Sequence, residues 1–410
     1  MKRTAIPGIG VVSPLGNDCA ALAASLQAAR SGVRLLDAPF RERLLAPLAA
    51  PAEFAAAELF AAPKLRMLDR VSQFALYAAG QALADAGPGV LEGDHALAGV
   101  SLGTAMGGAQ SADEGYLAMY GEGGDRVKPF SVLLAMNNAA ASWIGIEHGL
   151  TGPNLTYSTA CSSSAVAIGE AARRIRAGEA EVMVAGGSEA PLTPGVLKAW
   201  EALRVVAAVD AGDPSASCKP FAADRSGLVL GEGAAIVVLE EWERARRRGA
   251  RIHAELAGYG LCTDAGHLTR PSVAGQAGAM RLALDAAAAE PGEVGYLNAH
   301  GTATPANDEA EPAAIKQVFG DHARRLAVSS TKAVHGHLLG AAGALEFLIA
   351  LLALRTQVLP PTMHLSHPDP ACDLDYVPLH ARPVMGLRTV MSNSFAFGGT
   401  NAVLVARAAD

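Results

Sequence analysis

Short runs of β-branched and aliphatic residues alternate with longer alanine-rich stretches along most of this chain. Such an alternation is typical of α/β folds, in which helices cover the faces of a sheet. The predicted strands are 97–100, 155–158, 182–184, 235–239, 254–256, 296–299, 326–329, 390–392 and 403–405. The predicted helices are 69–86, 162–177, 274–288, 308–319 and 338–354. Pro7 indicates a strand start or an edge strand near the N-terminus, because proline cannot donate to a sheet ladder.

The length of 410 residues exceeds what one hydrophobic core usually organises, so two domains or two fused halves are expected. Hydrophobic residues make up 50% of the chain and charged residues 18%, which suits a large interior or an extensive subunit interface. The basic segment 240–251 predicts a solvated helix and turn between the halves. We therefore predict an N-terminal half, residues 1–250, and a C-terminal half, residues 251–410, although we find no clear sequence repeat.

The formal net charge of −7 argues against nucleic-acid binding, which requires a basic footprint. An acidic protein partner remains compatible with this charge, because a local basic patch is enough for docking. The sequence contains no Walker A motif and no well-placed Gly-x-Gly-x-x-Gly, so a nucleotide cofactor is not indicated.

The five cysteines are scattered and form no CxxC pair, so neither a structural zinc site nor a disulfide framework is predicted. The N-terminus lacks the apolar run of a signal peptide. The nearly apolar stretch 338–354 is interrupted by Gly340, Gly343 and Glu346, which favours a buried core helix over a membrane span. We expect a cytoplasmic protein without a membrane partner.

Cys161 follows a predicted strand and begins a helix of small residues, in the sequence TACSSS. A helix N-terminus offers partial positive charge and free N–H groups, which favour the thiolate that a cysteine nucleophile needs. Two histidines lie far downstream in glycine-containing motifs, His300 in NAHGTAT and His337 in GHLLGAAG. A lone cysteine on such a helix is more often a packing residue. Together with two remote histidines, it indicates nucleophilic catalysis.

Six ordered motifs resemble those of the 3-oxoacyl-acyl-carrier-protein synthases, of the type with one cysteine and two histidines. They are GIGVVSPLG (8–16), TAC (159–161), DRSG with GEGA (224–234), HGTAT (300–304), STK with GHLLGAAG (330–343) and NSFAFGGTN (393–401). The resemblance implies an α/β, thiolase-like fold: a five-layer α-β-α-β-α sandwich of two similar βαβαβαββ halves, normally dimeric. It also implies decarboxylative Claisen condensation, in which malonyl-carrier protein loses carbon dioxide and attacks an acyl group held on Cys161.

The resemblance assigns catalytic roles to the motif residues. Cys161 would accept the acyl group, and His300 and His337 would donate hydrogen bonds to the enolate left by decarboxylation, as its developing charge requires. Lys332 would hold a positive charge near the site, and Glu346 would bind it or orient its neighbours. His335, only two residues from His337, is interpreted as a loop residue.

Further roles concern the substrate. The backbone N–H groups of Cys161 and Phe397 would form the oxyanion hole, and Phe397 would also gate the acyl pocket. Thr302 and Thr304 resemble the pair that binds the pantetheine arm. Because the acyl groups travel on carrier-protein phosphopantetheine, no metal and no other cofactor are expected.

Met106, Ser131 and Phe397 are predicted to shape the acyl pocket, with Ser131 acting across a subunit interface. An acyl carrier protein is the expected partner. The resemblance places a cationic docking patch for it at Lys64, Arg66, Arg126, Lys128 and Arg204. The assembly is expected to be a homodimer or a heterodimer with a synthase-like chain-length factor.

Three alternatives compete with the synthase interpretation. A chain-length-factor-like subunit would lack the nucleophile, and a thiolase would need a second catalytic cysteine near the C-terminus, whereas Cys372 is the last one. A cysteine hydrolase leaves the second histidine unexplained. The pathway is open between fatty-acid synthesis and a specialised, polyketide-like or aryl-polyene route. Residues 198–205 resemble synthases of nodulation-factor and aryl-polyene type.

Overall fold

Ten strands form one mixed sheet in the computed structural model, which describes residues 2–121 and 123–409. The order across the sheet is β8-β7-β9-β10-β6-β1-β5-β4-β2-β3. The strands are β1 (Thr4–Val12), β2 (Ala98–Gly103), β3 (Asn154–Tyr157), β4 (Val182–Glu189), β5 (Gly233–Glu241), β6 (Ala254–Thr263), β7 (Tyr296–Asn298), β8 (Ala327–Ser329), β9 (Thr389–Phe395) and β10 (Thr400–Arg407).

Helices of eight or more residues cover the sheet on all faces. They are α1 (Cys19–Gln27), α2 (Arg70–Ala86), α3 (Ala109–Tyr116), α4 (Ala139–His148), α5 (Ser163–Ala177), α6 (Pro194–Ala202), α7 (Val273–Ala287), α8 (Pro305–Phe319) and α9 (Ala342–Thr356). Shorter helices are Ala56–Leu59, Ala62–Leu65, Ser131–Ala135, Trp242–Arg247 and Lys332–His335, and two small ribbons pair Arg34–Leu35 with Leu48–Ala49 and Val358–Leu359 with Arg382–Pro383.

The sheet consists of two five-stranded units with the same connectivity. In each unit the first strand is antiparallel to the last, the last is antiparallel to the fourth, and the fourth and third are parallel to the second. The element orders are β1-α2-β2-α4-β3-α5-β4-β5 and β6-α7-β7-α8-β8-α9-β9-β10. The units meet where Ala5 and Ile6 pair with Glu255 and Ala254. The predicted boundary at residue 250 lies in the segment between β5 and β6, and it stays a prediction.

Helices α5 and α9 pack against each other between the two units and contribute to the largest hydrophobic cluster. The two five-stranded units of the sheet form two layers. With this central helical layer between them and the helices on their outer faces, they make five layers. The segment Leu339–Thr356 is long and apolar enough to cross a membrane by length and composition, but 89% of it is buried inside the protein. It is the core helix that the interrupted apolar run predicts.

Two local expectations are wrong. Pro7 lies inside β1, which pairs with β5 on one side and β6 on the other, so it is neither at an edge nor at a strand start. A register shift between Ala5 and Gly8 accommodates it, as bulges do for proline. The basic segment forms a helix and turn, but it is not simply solvated, because Arg244 and Arg248 bind the fully buried Glu240.

Candidate active site

Cys161 lies in a tight turn between β3 and α5. The preceding residue, Ala160, has a left-handed backbone with φ of 51°, which costs energy for any residue with a Cβ. Ser163 holds this turn: its hydroxyl donates to the Ala160 carbonyl (2.6 Å) and accepts the Thr159 N–H (2.8 Å). The turn therefore presents a buried sulfur, with 6% of the residue exposed, at the start of a helix.

His337 lies directly against this sulfur, with its Nε2 3.1 Å from Cys161 Sγ. Its Nδ1 accepts the backbone N–H of Leu339 at 3.2 Å. Because a backbone N–H can only donate, the proton of the neutral ring is on Nε2. His337 therefore donates toward the sulfur and stabilises negative charge there, and it does not act as a base toward the thiol.

His300 has the same tautomer for a different reason. Lys332 Nζ lies 3.3 Å from His300 Nδ1 and donates to it, because an ammonium group has no acceptor. Lys332 also donates to the His300 carbonyl and forms a fully buried ion pair with Glu346, both at 2.5 Å. The sulfur and one ring nitrogen of each histidine lie within 4.8 Å of one another. Two neutral imidazole rings, each with its proton on Nε2, thus lie close to the Cys161 sulfur.

Burial and the Lys332 charge set the protonation states. Burial lowers the pKa of His300 and His337 well below its ordinary value, and the Lys332 ammonium lowers it further. Burial raises the pKa of the Cys161 thiol to about 11, against the Lys332 charge and the N–H groups of Phe397 and Cys161 itself. The expected thiolate-favouring environment exists, but in the free site desolvation outweighs it. Burial likewise raises the pKa of Glu346 to about 7.

Two acids that the sequence analysis missed fix the loop that carries His300. Glu311 accepts the backbone N–H groups of His300 and Gly301, each at 2.8 Å. Asp308 accepts the N–H of Thr302 at 3.0 Å, and burial raises its pKa to about 6. Both are fully buried on α8. The available signal was their spacing of three residues, which places them on one helix face directly after the HGTAT motif.

Phe397 lies in the loop between β9 and β10, which continues through Gly398 and Gly399, whose φ angles of 88° and 79° favour glycine. Its ring stacks on Trp200 of α6, with centroids 5.9 Å apart and an interplanar angle of 17°. The sequence analysis gave Trp200 no role. Both rings line the cavity that leads to Cys161, so the stack fixes the position of Phe397 beside that cavity.

That cavity is lined by Cys161, both catalytic-motif histidines, Phe397, Trp200 and the two threonines predicted to bind pantetheine. Thr302 Oγ1 and Thr304 Oγ1 are 2.8 Å apart. His335 does not reach the cavity. It is fully buried in the short helix Lys332–His335, bonded to Thr331 Oγ1 and the Gly336 carbonyl, so its interpretation as a loop residue is wrong.

The other predicted residues lie away from the sulfur. Met106 and Ser131 do not line its cavity, and Ser131 lines a separate groove of about 700 Å³ with Arg66, Arg126 and Lys128. Lys64 and Lys128 form ion pairs with Glu147 and Glu114. Arg204 follows α6 with φ of 58°. The pocket and docking roles of these residues stay predictions.

Comparison with known proteins agrees with this geometry. Residues 1–245 match the β-ketoacyl synthase N-terminal domain and residues 253–366 the β-ketoacyl synthase C-terminal domain. The chain is 42% identical over 407 residues to 3-oxoacyl-[acyl-carrier-protein] synthase 2 of Coxiella burnetii, and 43% identical over 410 residues to nodulation protein E of Rhizobium meliloti. Each alignment covers 98% of both chains.

A solved structure described as the ishigamide ketosynthase/chain length factor superposes with a TM-score of 0.93 at 33% identity, covering 100% of both chains. The chain therefore belongs to the β-ketoacyl synthase family, an acyltransferase class of condensing enzymes. The predicted family, fold class and reaction class are confirmed.

Proposed function

We propose that this β-ketoacyl synthase condenses an acyl group held on Cys161 with a malonyl thioester, using His300 and His337 as neutral hydrogen-bond donors. One observation carries this assignment: the Nδ1 atoms of both histidines accept hydrogen bonds, so both Nε2–H groups are free to donate beside the sulfur. Neutral donors suit an enolate, because they stabilise its charge without consuming it by proton transfer.

In the first step the Cys161 sulfur attacks the thioester carbonyl of the acyl donor. The resulting oxyanion is held by the N–H groups of Cys161 and Phe397, both of which lower the pKa of the Cys161 thiol in the free site and so favour negative charge there. The intermediate then expels the pantetheine thiolate, which takes up the proton that leaves the Cys161 thiol. The His337 donor and the Lys332 charge lower the cost of the transient thiolate.

In the second step the bond between the malonyl carboxylate and its methylene carbon breaks, and carbon dioxide leaves. The electron pair moves onto the thioester oxygen, where the Nε2–H groups of His300 and His337 stabilise it. The enolate carbon attacks the acyl group on Cys161 and expels the Cys161 thiolate, which takes up one proton from the solvent. Atoms and charges balance with no cofactor beyond the phosphopantetheine that carries the substrates.

Separating the half-reactions tests this assignment. Cys161→Ala should abolish condensation, and His300→Ala and His337→Ala should each slow malonyl decarboxylation by roughly 10²–10³-fold while acyl transfer to Cys161 continues. Carbon dioxide release and mass spectrometry of the acylated protein report the two steps. Decarboxylation at the parent rate in either histidine variant would remove that residue from the mechanism.

The acyl donor is proposed to be an acyl carrier protein, for which the Coxiella relative is named. Arg66, Arg126 and Lys128 line one groove and supply the local cationic patch that an acidic carrier needs on a net negative chain. We expect Arg66→Glu with Arg126→Glu to raise the KM for carrier-bound substrate severalfold. An equal loss with a free pantetheine thioester would show that the groove is not the docking site.

The chain is proposed to work as a dimer, with itself or with a chain-length factor. The sheet ends in the exposed edge strand β3, and nearby segments expose Tyr116, Tyr120, Val132 and Leu133. Unpaired edges and apolar patches of this kind are usually covered in the assembly. Sedimentation of the purified chain separates the cases, since a stable homodimer of the chain alone would exclude an obligatory second subunit.

The pathway and compartment are also proposals. Similarity to nodulation protein E favours a specialised fatty-acyl route over housekeeping synthesis. All five cysteines are free, which suits the reducing cytoplasm. Product analysis with an acyl carrier protein from the source organism would test the pathway, and fractionation of the source cells would test the compartment.

A further inference from the structure

Glu189, at the end of β4, is a fully buried acid without a described ion-pair partner. Its Oε2 accepts the backbone N–H groups of Ala105 (2.6 Å) and Gly340 (2.9 Å). Its Oε1 accepts the N–H of Met106 (3.0 Å) and the hydroxyl of Thr104 (3.1 Å). Burial raises its pKa to about 7, and these four donors oppose the rise. A buried carboxylate held this way fixes the segments that donate to it.

The Gly340 N–H connects this carboxylate to the catalytic histidine. Gly340 follows Leu339, whose φ of 46° is a strained left-handed conformation. The Leu339 N–H, in turn, donates to His337 Nδ1 and keeps the ring proton on Nε2, facing the sulfur. A strained residue persists only when its neighbours over-determine it, and Glu189 anchors the next peptide group in the chain.

The turn Ala160–Ser162 has a side-chain hydrogen bond that the turn Leu339–Ala341 lacks, and Glu189 takes its place there. The strained Ala160 is held by the hydroxyl of Ser163, the first residue of α5. The first residue of α9 is Ala342, which has no hydroxyl. The turn before α9 therefore has no internal side-chain brace of this kind, and the Glu189 carboxylate, from the other half of the molecule, binds its N–H instead.

We propose that Glu189 is a positioning residue that sets the tautomer and aim of His337 by anchoring the turn Leu339–Ala341. This inference rests on the proposed role of His337 as an enolate donor. It predicts that disturbing Glu189 impairs malonyl decarboxylation more than acyl transfer, because none of the four hydrogen bonds of this carboxylate goes to Cys161 or to its turn, Ala160–Ser162. The same carboxylate fixes the loop that carries Met106.

The test compares Glu189→Met, which removes all acceptors, with Glu189→Gln, which keeps one acceptor oxygen. Each carboxylate oxygen of Glu189 accepts at least one hydrogen bond from a backbone N–H. Whichever way the glutamine amide is turned, its NH₂ group therefore faces a backbone donor. We expect the ratio of decarboxylation to Cys161 acylation to fall roughly tenfold to a hundredfold in Glu189→Met, the range expected from a small misplacement of a catalytic group. The fall in this ratio should be smaller in Glu189→Gln than in Glu189→Met.

Glu240→Gln is the matched control, since Glu240 is equally buried but binds Arg244 and Arg248 away from the site. It should leave the ratio unchanged even where it lowers stability. An unchanged ratio in Glu189→Gln would overturn the inference, including where Glu189→Met fails to fold. An unchanged decarboxylation rate in His337→Ala would instead overturn the proposed function, so the two failures are distinguishable.

Discussion

The two halves of the molecule share a scaffold down to the spacing of single residues. In the first strand of each half, two glycines allow a helix to approach closely: Gly8 and Gly10 against α2, Gly258 and Gly260 against α7. A Cβ at any of them would lie about 2 Å from a helix carbonyl oxygen. The contacted alanines have the same spacing, Ala78, Ala82 and Ala86 in one half and Ala279, Ala283 and Ala287 in the other.

The halves differ where the third strand meets the central helix. In the N-terminal half only residues 158–159 separate β3 from the turn at Ala160–Ser162, and the second residue of that turn is Cys161. In the C-terminal half residues 330–338 separate β8 from the turn at Leu339–Ala341, whose second residue is Gly340. The longer connection supplies Lys332 and His337. One half thus carries Cys161, and the other supplies the Lys332 charge and the His337 ring that lie near its sulfur.

The largest effect we expect from this division concerns the ionisation of Cys161. With its pKa raised to about 11 by burial, the thiolate fraction grows about tenfold per pH unit below that value. Alkylation by a small neutral reagent should therefore rise about a thousandfold between pH 7 and pH 10. Lys332→Met should slow it at every pH in this window, because removing the ammonium raises the thiol pKa further.

Peptide mapping measures the alkylation rate of Cys161 against the rates of the other four cysteines, and the Cys161→Ala variant gives the background labelling. A rate that is already constant at neutral pH would show that Cys161 is ionised there. It would follow that the C-terminal half lowers the pKa more than burial raises it.

The second prediction compares the two turns directly. Gly340→Ala should lower the free energy of unfolding by about 1–3 kcal/mol, since its Cβ would lie 2.3 Å from the Ala105 nitrogen and 2.6 Å from Glu189 Oε2. Cys161→Ala, at the corresponding place, should leave stability nearly unchanged. Denaturant titration measures both. Gly80→Ala is the control, because no atom outside the neighbouring backbone of α2 lies within 4 Å of its added Cβ. Equal stability of Gly340→Ala and the parent protein would contradict the close packing of the turn Leu339–Ala341.

The smallest expected effect concerns the access of thiol reagents to Cys161 in the turn Ala160–Ser162. The Trp200 stack on Phe397 is worth roughly 0.5–1.5 kcal/mol, so Trp200→Ala should increase opening of the loop severalfold. Labelling of Cys161 by a bulky thiol reagent should then accelerate relative to a small one. Trp143, which packs on the N-terminal core, provides the control substitution Trp143→Ala. If the ratio of the labelling rates with the bulky and the small reagent is the same in Trp200→Ala and Trp143→Ala, the stack does not hold the loop.

Much of the fold could be predicted from local patterns, because strand and helix formers alternate clearly and each central helix begins at a recognisable motif. The predicted helix 162–177 forms as Ser163–Ala177, and 274–288 as Val273–Ala287. Pro7 shows the limit. Whether a proline lies at an edge or at a bulge depends on which strands pair with it, and pairing partners distant in the chain leave no local signal.

The sequence by itself determined the family and the α/β architecture, and it singled out Cys161, His300 and His337, because motifs and periodicity are local properties. Only the tertiary structure decided the protonation states and the supporting residues. The Cys161 thiol is raised in pKa although it begins a helix, because desolvation depends on everything packed around it. Glu189 acts through the backbone N–H of Gly340, 151 residues away, and that meeting exists only once the two halves have packed together.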